Sequence, residues 1–265
     1  MKKRRFLLIF AILLAVGVLF ALQQTNALKA TQYTWQSGRV PAGFDGYRIV
    51  QVSDLHDKRF GSGQNRLIRM IRDLNPDMIA LTGDILDWRT MDLAPVRELL
   101  AGTAGLAPMY YVDGNHDPRS HLYGEFRALL AEYGVTVLEG YTTLARGGDT
   151  MTLAGCGYWE WFIEGLPRPA DLVLYHGIEI ANSQSGHGLI LAGHMHGGQV
   201  ALPGGRAIVS PDGRFFPEYA GGFYELGDDS TMVVSKGLGT SGLPFRLFAR
   251  PEVVCVEMKL KSSEN

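Results

Sequence analysis

Five short polar clusters, each following an apolar strand-like run, constrain the fold of this chain more than any other feature. The clusters occupy residues 53–56, 82–84, 114–117, 175–176 and 193–199. They carry Asp, Asn and His, the oxygen and nitrogen donors that first-row divalent metals bind. Because polar residues at the ends of several strands of one sheet converge in space, the pattern predicts a metal-dependent hydrolase.

Strands and helices alternate in the first half of the chain. Strands are predicted at residues 47–52, 78–81, 109–112 and 135–138, and helices at residues 67–74, 96–100 and 126–133. Such alternation is typical of right-handed βαβ units and a largely parallel sheet.

The second half is richer in strands, which are predicted at residues 151–155, 172–175, 189–192, 222–226, 231–235 and 253–258. One helix-rich and one strand-rich region suit two sheets packed face to face with helices outside. We therefore expect a mixed α/β fold without an internal domain boundary.

The composition excludes some classes of protein. The chain has 265 residues, of which 46% are hydrophobic and 20% charged, and its formal net charge is -2. These values describe a globular protein with a large core. A general nucleic-acid binder would show a basic stripe, whereas the only dense basic run here is residues 2–5. We expect no nucleic-acid binding and a monomer.

An apolar segment near the N-terminus predicts membrane targeting. Basic residues 2–5 precede the uninterrupted apolar residues 6–22, which as a helix would cover roughly 25 Å, near the lower limit for a bilayer core. The segment exceeds a usual signal-peptide core of about 7–15 residues, and residues 25–27 match a cleavage site poorly. An uncleaved anchor is favoured, while a cleaved signal and twin-arginine export through Arg4 and Arg5 stay open.

The positive charges place the N-terminus in the cytoplasm. We therefore expect a single-pass cell-membrane protein whose catalytic domain is extracytoplasmic. The predicted organisation is an anchor at residues 1–30, a linker at residues 31–46 and a domain at residues 47–260. Cys156 and Cys255 lie in separate apolar runs, which favours two buried thiols over a bridge, although spacing alone cannot decide.

The individual motifs differ in weight. Asp54-x-His56 and Gly83-Asp84 are weak signals alone, because such pairs also occur in turns and caps. In residues 114–117, Gly permits a tight bend, Asn115 and His116 offer donors, and Asp117 could fix the tautomer of the imidazole. The two histidines of residues 193–199 are flanked by glycines, and five of the chain's seven histidines fall in the five clusters. That clustering argues against unrelated core histidines.

In this order, the motifs Asp-x-His, Gly-Asp, Gly-Asn-His-Asp, His and Gly-His-x-His resemble the calcineurin-like metallophosphoesterases, over residues 47–260. The resemblance implies a four-layer αββα sandwich of two mixed sheets flanked by helices. Residues 193–199, 223–226, 235–241 and 250–252 further resemble a membrane-anchored or exported bacterial branch of that family.

The resemblance also implies two metal sites that share Asp84. The first metal would be held by Asp54, His56, Asp84 and His196, and the second by Asp84, Asn115, His176 and His194. Two divalent cations about 3.5–4 Å apart need such a shared anionic ligand. Mn, Fe or Zn would suit these donors, and a bridging hydroxide would attack phosphorus.

His116 is not a ligand in the family. It would stabilise developing negative charge or protonate the leaving oxygen, with its ring held by the Asp117 region. The surroundings of His176 depart from the family pattern, and His187, expected on a surface loop, is the alternative ligand. The aromatic residues Trp159, Trp161 and Phe162 predict either a partly buried loop plug or a rim that binds lipids or rings.

These features predict a membrane-anchored phosphohydrolase acting on a phosphomonoester, phosphodiester or pyrophosphate. The expected partners are a phosphorylated small molecule or lipid and the membrane itself. The anchor makes lipid-linked or envelope substrates plausible. Two alternatives stay open: a metal-dependent hydrolase of another bond, such as an amide, and a scaffold that binds metal without catalysis.

Overall fold

The computed structural model describes residues 2–161, 166, 168–182, 186–211, 213–227, 229–240 and 242–261. Within them the α-helices are α1 (Lys2–Asn26), α2 (Asn65–Asp73), α3 (Ala94–Thr103), α4 (Tyr123–Glu132) and α5 (Tyr158–Trp161). The strands are β1 (Lys29–Ser37), β2 (Arg48–Val52), β3 (Met78–Thr82), β4 (Met109–Val112), β5 (Thr136–Val137), β6 (Gly140–Arg146), β7 (Asp149–Gly155), β8 (Leu172–Leu174), β9 (Leu189–Ala192), β10 (Gly222–Glu225), β11 (Thr231–Val234) and β12 (Glu252–Leu260).

The first sheet has the strand order β1-β12-β2-β3-β4-β5. Strands β2 to β5 run parallel, as the alternation of strands and helices predicts. Strand β12 lies antiparallel to β2 and parallel to β1. The carboxyl ends of β2, β3 and β4 therefore meet at one edge of this sheet.

The second sheet has the order β10-β11-β9-β8-β7-β6. Its four central strands run parallel, while β10 and β6 are antiparallel to their neighbours. Both sheets are thus mixed, and each presents the carboxyl ends of several parallel strands.

Apolar side chains fill three layers of core. One cluster lies between the two sheets and joins Ile49 and Val254 of the first sheet to Leu172 and Leu191 of the second. A second cluster packs the other face of the first sheet against α2, α3 and α4. The third covers the outer face of the second sheet, where α5 and a short 3₁₀ helix at Glu179–Asn182 lie. The predicted α/β fold of two mixed sheets with flanking helices is confirmed.

Helix α1 is long and apolar enough to cross a membrane, and no residue of its apolar window is buried in the protein. Its single buried residue is Thr25, at its carboxyl end. The helix therefore stands away from the sandwich except at that end.

The first part of the expected linker at residues 31–46 is strand instead, because residues 29–37 form the edge strand β1. This strand pairs with all nine residues of β12, from Lys29 opposite Glu252 to Ser37 opposite Leu260. Its side chains are mostly half-buried or exposed, so it has the polar composition of a linker. Only Ala27 and Leu28 separate α1 from β1.

The two cysteines lie in different layers of the core. Cys156 belongs to the cluster on the outer face of the second sheet, and Cys255 on β12 belongs to the cluster under α2 to α4. Both side chains are buried, and no disulfide joins these two residues. This separation agrees with the interpretation of two buried thiols.

Candidate metal centre

The five polar clusters of the sequence meet at one edge of the sandwich. Asp54 and His56 follow β2, Asp84 follows β3, and Asn115 and His116 follow β4. From the second sheet, His176 follows β8, and His194 and His196 follow β9. Since these strands are parallel within each sheet, their carboxyl ends bring the polar side chains together.

Asp54, His56 and His196 form one group of potential metal ligands, and all three are buried. Nε2 of His196 lies 3.4 Å from Oδ1 of Asp54. It also lies 3.3 Å from Nε2 of His56. Convergence of two imidazole nitrogens and a carboxylate oxygen on one point suits a divalent cation.

Asp84, His176 and His194 form a second group. Nε2 of His176 lies 3.2 Å from Oδ2 of Asp84. The same Oδ2 atom is 3.7 Å from Nε2 of His56, which belongs to the first group. The carboxylate of Asp84 thus lies between the two groups.

The ring of His176 is held by the main chain. Its Nδ1 atom is 2.8 Å from the carbonyl oxygen of Thr82, so Nδ1 donates and Nε2 faces Asp84. Although burial acts to lower it, the nearby Asp84 carboxylate raises the pKa of His176 to about 10. His176, the predicted ligand with the least typical sequence context, is therefore brought into the group and oriented toward it.

Buried polar atoms without a hydrogen-bond partner mark the same place. Among the described residues, they include Oδ1 of Asn115, and Nε2 of His176 faces only the carboxylate of Asp84. A buried oxygen or nitrogen left without a partner is destabilising, and a bound cation would satisfy both atoms. The donor set present here therefore fits divalent metal ions.

Neighbouring groups fix both carboxylates. Asp54 accepts hydrogen bonds from the Ser53 hydroxyl at 2.6 Å and from the backbone N–H of His194 at 3.0 Å. Asp84 accepts one from the backbone N–H of His116 at 2.8 Å. Burial raises the pKa of Asp54, whereas the charges of His176 and His56 outweigh burial and hold the pKa of Asp84 well below its usual range.

The backbone at these candidate ligands adopts an uncommon conformation. Asp54, His56, Asp84, His194 and His196 all have positive φ, between 45° and 69°. Left-handed backbone is rare for residues other than glycine, and where the surrounding structure maintains it the position is often functional. The chain turns sharply directly after each strand and so directs these side chains into one space.

Two glycines allow the loops to approach closely. A Cβ atom at Gly114 would lie 2.1 Å from Oδ1 of Asp84, and one at Gly193 would lie 2.0 Å from Oγ of Ser53. A larger residue at Gly114 would displace the carboxylate of Asp84, and one at Gly193 would displace Ser53 and the carboxylate of Asp54. The glycines of the sequence motifs therefore have a packing role beside the ligands.

Asp87 is a member of the centre that the sequence interpretation missed. Its Oδ2 atom lies 3.5 Å from Nδ1 of His56 and 3.5 Å from Nδ1 of His116. Although burial acts in the other direction, His56 and Arg89 hold the pKa of Asp87 well below its usual range, so it is ionised. The signal available in the sequence was its position three residues after Asp84.

Asp117 has a different role from the expected one. Its carboxylate accepts backbone N–H groups from Asp84 at 2.8 Å, Leu86 at 2.8 Å and Gly114 at 2.9 Å. It therefore joins the loop after β3 to the loop after β4, while Asp87 is the carboxylate beside the His116 ring. The expectation that Asp117 holds the ring is wrong, because the 3₁₀ turn at Asp117–Arg119 directs the side chain toward residues 84–86.

His187, the alternative ligand, is not part of either group. It is fully buried, contrary to the expected surface loop, and its Nδ1 accepts the backbone N–H of Ala170 at 3.1 Å. Burial lowers its pKa, which fits a neutral structural histidine.

A cavity of about 270 Å³ opens onto the centre and is lined by residues that include Asp84, Asn115, His116 and His194. Tyr158 and Trp159 line it as well, and Trp159 is 50% exposed. Trp159 thus lies at a rim, whereas Phe162 of the same aromatic stretch falls outside the described residues. A larger cavity of about 700 Å³, lined by Trp35, Arg39 and Glu225 among others, contains none of the residues of the two groups.

Known proteins are similar in sequence to this chain over the region that contains these residues. A family model described as calcineurin-like phosphoesterase matches residues 47–198. The uncharacterized metallophosphoesterase YkuE of Bacillus subtilis (strain 168) is 30% identical over 256 residues, covering 89% of this chain and 87% of the relative. The phosphodiesterase YaeI of Escherichia coli (strain K12) is 30% identical over 233 residues, covering 80% and 82%.

A more distant relative from Danio rerio is named transmembrane protein with metallophosphoesterase domain. It is 25% identical over 279 residues, which cover 96% of this chain and 62% of the relative. The similarity to these relatives therefore extends beyond the stretch that the family model matches.

Proposed function

The chain belongs to the calcineurin-like phosphoesterase family and is a metal-dependent phosphoesterase, and we propose that it is a membrane-anchored hydrolase that uses two divalent metals bridged by Asp84. One observation carries this proposal. Oδ2 of Asp84 lies within 3.7 Å of a ligand nitrogen from each group, namely Nε2 of His56 and Nε2 of His176. A carboxylate so placed can offset the repulsion between two cations.

The proposed ligands divide between the two ions. Asp54, His56, Asp84 and His196 would hold the first ion, and Asp84, Asn115, His176 and His194 the second. Bound Mn, Fe or Zn would polarise the phosphoryl group and lower the pKa of coordinated water. The protein holds these ligands in place through Ser53, Thr82 and the backbone N–H groups of the loops.

His116 is proposed as the group that acts on the leaving oxygen. It lines the cavity, is only partly buried and has Asp87 beside its Nδ1 atom, which leaves Nε2 for the substrate. Burial lowers the pKa of His116, and the carboxylates of Asp84 and Asp87 act against that effect. The ring would donate a proton to the leaving oxygen or stabilise charge on it.

The substrate class is a phosphomonoester, phosphodiester or pyrophosphate, with lipid-linked or other envelope molecules favoured by the anchor. Helix α1 supports the anchor by its length and composition, and the Danio rerio relative is named a transmembrane protein. The basic residues 2–5 support a cytoplasmic N-terminus and an extracytoplasmic domain.

Metal analysis combined with a substrate screen tests the proposal. The purified full chain should contain two divalent ions and hydrolyse a chromogenic phosphomonoester or phosphodiester when Mn²⁺, Zn²⁺ or Fe²⁺ is supplied. Two bound ions without hydrolysis of any phosphorus ester or anhydride would favour the scaffold, and cleavage of an amide alone would favour the other hydrolase. A single bound ion would contradict the bridged centre.

A further inference from the structure

The carboxyl end of α1 is fixed to the catalytic domain and has no flexible spacer after it. Leu28, one of the two residues between α1 and β1, is buried in the core cluster under α2 to α4. Lys29 then donates its backbone N–H to the carbonyl oxygen of Pro251 at 3.0 Å. Only two residues, both close to the domain, therefore connect the apolar helix to the first sheet.

Basic side chains of the domain bind the last carbonyl groups of α1 and of the residue after it. A helix end leaves such carbonyls without partners and carries partial negative charge, so cations stabilise it. Lys58 donates to the carbonyl of Thr25, Arg66 to that of Asn26 at 3.4 Å and Arg250 to that of Ala27 at 2.9 Å. We call this set of contacts the junction.

One residue connects the junction to the metal centre. Arg246 donates its backbone N–H to the Thr25 hydroxyl at 2.9 Å. Its guanidinium group is fully buried, donates to the carbonyl of His196 at 3.1 Å and lies 3.3 Å from Nδ1 of that ring. Arg246 thus contacts the end of α1 through its backbone and the proposed ligand His196 through its side chain.

The loop that carries Arg246 also contacts the apolar part of α1. The Phe248 ring lies 5.5 Å from the Phe20 ring, centroid to centroid. Phe20 precedes the end of α1 by six residues, or about 9 Å along the axis, and belongs to the apolar residues 6–22. Phe248 is therefore at the level of the last apolar turn of the helix.

The same loop exposes further apolar surface around this point. Leu243 and Phe248 are 41% and 40% exposed, and Pro244 between them is exposed as well. Phe248 is held there with φ of 54°, a conformation that a bulky residue seldom adopts. We call Leu243, Pro244 and Phe248 the collar.

We propose that the collar lies in the interface of the bilayer that α1 spans, and that the junction holds the metal centre at the membrane surface, where it takes phosphoesters carried by lipids. This inference rests on the proposed function and names its substrate class. The bilayer is the occupant because the collar is level with residues that a membrane helix places in lipid. Lys58, Arg66 and Arg250 add positive charge beside it, which attracts anionic headgroups.

Depth measurements on the full chain in vesicles test the position of the collar. Phe248→Cys carries a spin label, and Leu260→Cys is a matched control because Leu260 is 39% exposed. Leu260 lies at the far end of β12 from the junction, eight residues or roughly 26 Å from Glu252. The native Cys156 and Cys255 are buried and should stay unlabelled.

In vesicles of phosphatidylcholine and phosphatidylglycerol, the label at position 248 should be reached by oxygen and shielded from a water-soluble relaxation agent. The label at position 260 should behave in the opposite way. Leu243→Cys repeats the measurement if the label at position 248 prevents folding. The inference would be overturned if the labels at positions 243 and 248 were as accessible to the aqueous agent as the label at position 260. It would also be overturned if the mature protein began after Ala27.

A flexible insertion tests whether the junction matters for the substrate. Ten Gly and Ser residues placed between Asn26 and Ala27 keep the anchor and leave β1 intact, and the same insertion at the exposed Gly105 is the control. The two probes share the same fluorogenic phosphodiester group. In the lipid probe this group is attached to a dialkyl lipid in the same vesicles, and in the soluble probe it is a water-soluble methyl ester.

The insertion after Asn26 should lower hydrolysis of the lipid probe by about tenfold relative to the soluble probe, because the site is no longer held at the surface. The insertion at Gly105 should leave that ratio unchanged. An unchanged ratio in both proteins would overturn the inference while the proposed function stands. Failure of the unaltered protein to hydrolyse either probe, with labels in the membrane, would instead count against the proposed function.

Discussion

Oδ2 of Asp87 lies 3.5 Å from Nδ1 of His116. An ionised carboxylate at this distance orients the imidazole and favours its protonated form. The same oxygen lies 3.5 Å from Nδ1 of His56, a proposed ligand of the first metal. Asp87 thus connects the group proposed to act on the leaving oxygen with the metal centre.

Replacing Asp87 by Asn should lower turnover of a chromogenic phosphodiester by about 10- to 100-fold, because the charge beside both rings is lost. Steady-state kinetics at saturating metal measure the effect. Asp92→Asn is the control, since that carboxylate is largely exposed and should change turnover little. Equal turnover in the two variants would mean that Asp87 does not position His116.

His116→Ala should lower turnover by about 10²- to 10⁴-fold while the metal content stays near two ions per chain, because this residue is proposed to act on substrate and not to bind metal. Mass spectrometry of bound metal and steady-state kinetics on one preparation separate the two effects. Full turnover in the variant would show that the acid role is wrong, and a loss of one ion would make His116 a ligand.

Asp84→Ala should bind fewer than one ion per chain, whereas Asn115→Ala should retain at least one. The reason is that Asp84 lies between both groups, while Asn115 belongs only to the proposed second site. Calorimetric titration of the metal-free proteins with Mn²⁺ gives both stoichiometries. If Asp84→Ala still bound two ions, Asp84 would not be the bridge.

Metal binding should depend on pH through His176. In the metal-free protein Asp84 raises the pKa of His176 to about 10, so the ring carries a proton at neutral pH that a metal must displace. Proton competition weakens as pH rises toward that pKa. The apparent affinity for Mn²⁺ should therefore increase from pH about 6 to about 8, with proton release.

Calorimetry in two buffers of different ionisation enthalpy measures the protons released. His176→Gln removes the proton, so this variant should show weaker binding and a flatter dependence on pH. An unchanged slope in the variant would assign the released proton to another group.

Arg246→Met should lower the free energy of unfolding by about 3 kcal/mol, because several buried carbonyl oxygens would lose their donor. The affected carbonyls belong to His196, Lys236, Gly239 and Ala249. Denaturant titration of the detergent-solubilised protein measures the change. Arg97→Met, which removes an exposed ion pair with Glu132, should cost less than about 1 kcal/mol.

Much of the fold and the convergence of the clustered residues could be predicted because the signals are local. Buried parallel strands such as β3 are continuous apolar runs, and a polar donor such as Asp84 marks the point where each run ends. The carboxyl ends of parallel strands then meet by topology alone. Nothing beyond pattern and spacing is needed to bring these residues together.

The remaining features depend on contacts between distant parts of the chain. Strand β1 escaped prediction because it is an edge strand whose order comes from pairing with β12, about 220 residues later. Asp87 and Asp117 both lie near His116 in the fold, and only the path of the loops determines which carboxylate reaches the ring. Asp117 is next to His116 in the sequence and was therefore favoured. The turn at Asp117 directs its carboxylate to the backbone of Asp84 and Leu86 instead.

Strand β12 occupies the place between β1 and β2, although about 200 residues separate it from β2 in the sequence. Until β12 has been synthesised, β1 lacks its partner and one edge of β2 is open. Pairing over such a separation closes a long loop and is slow. Completion of the first sheet must therefore wait for the carboxyl-terminal part of the chain, and until then the open edge of β2 is exposed to pairing with other strands.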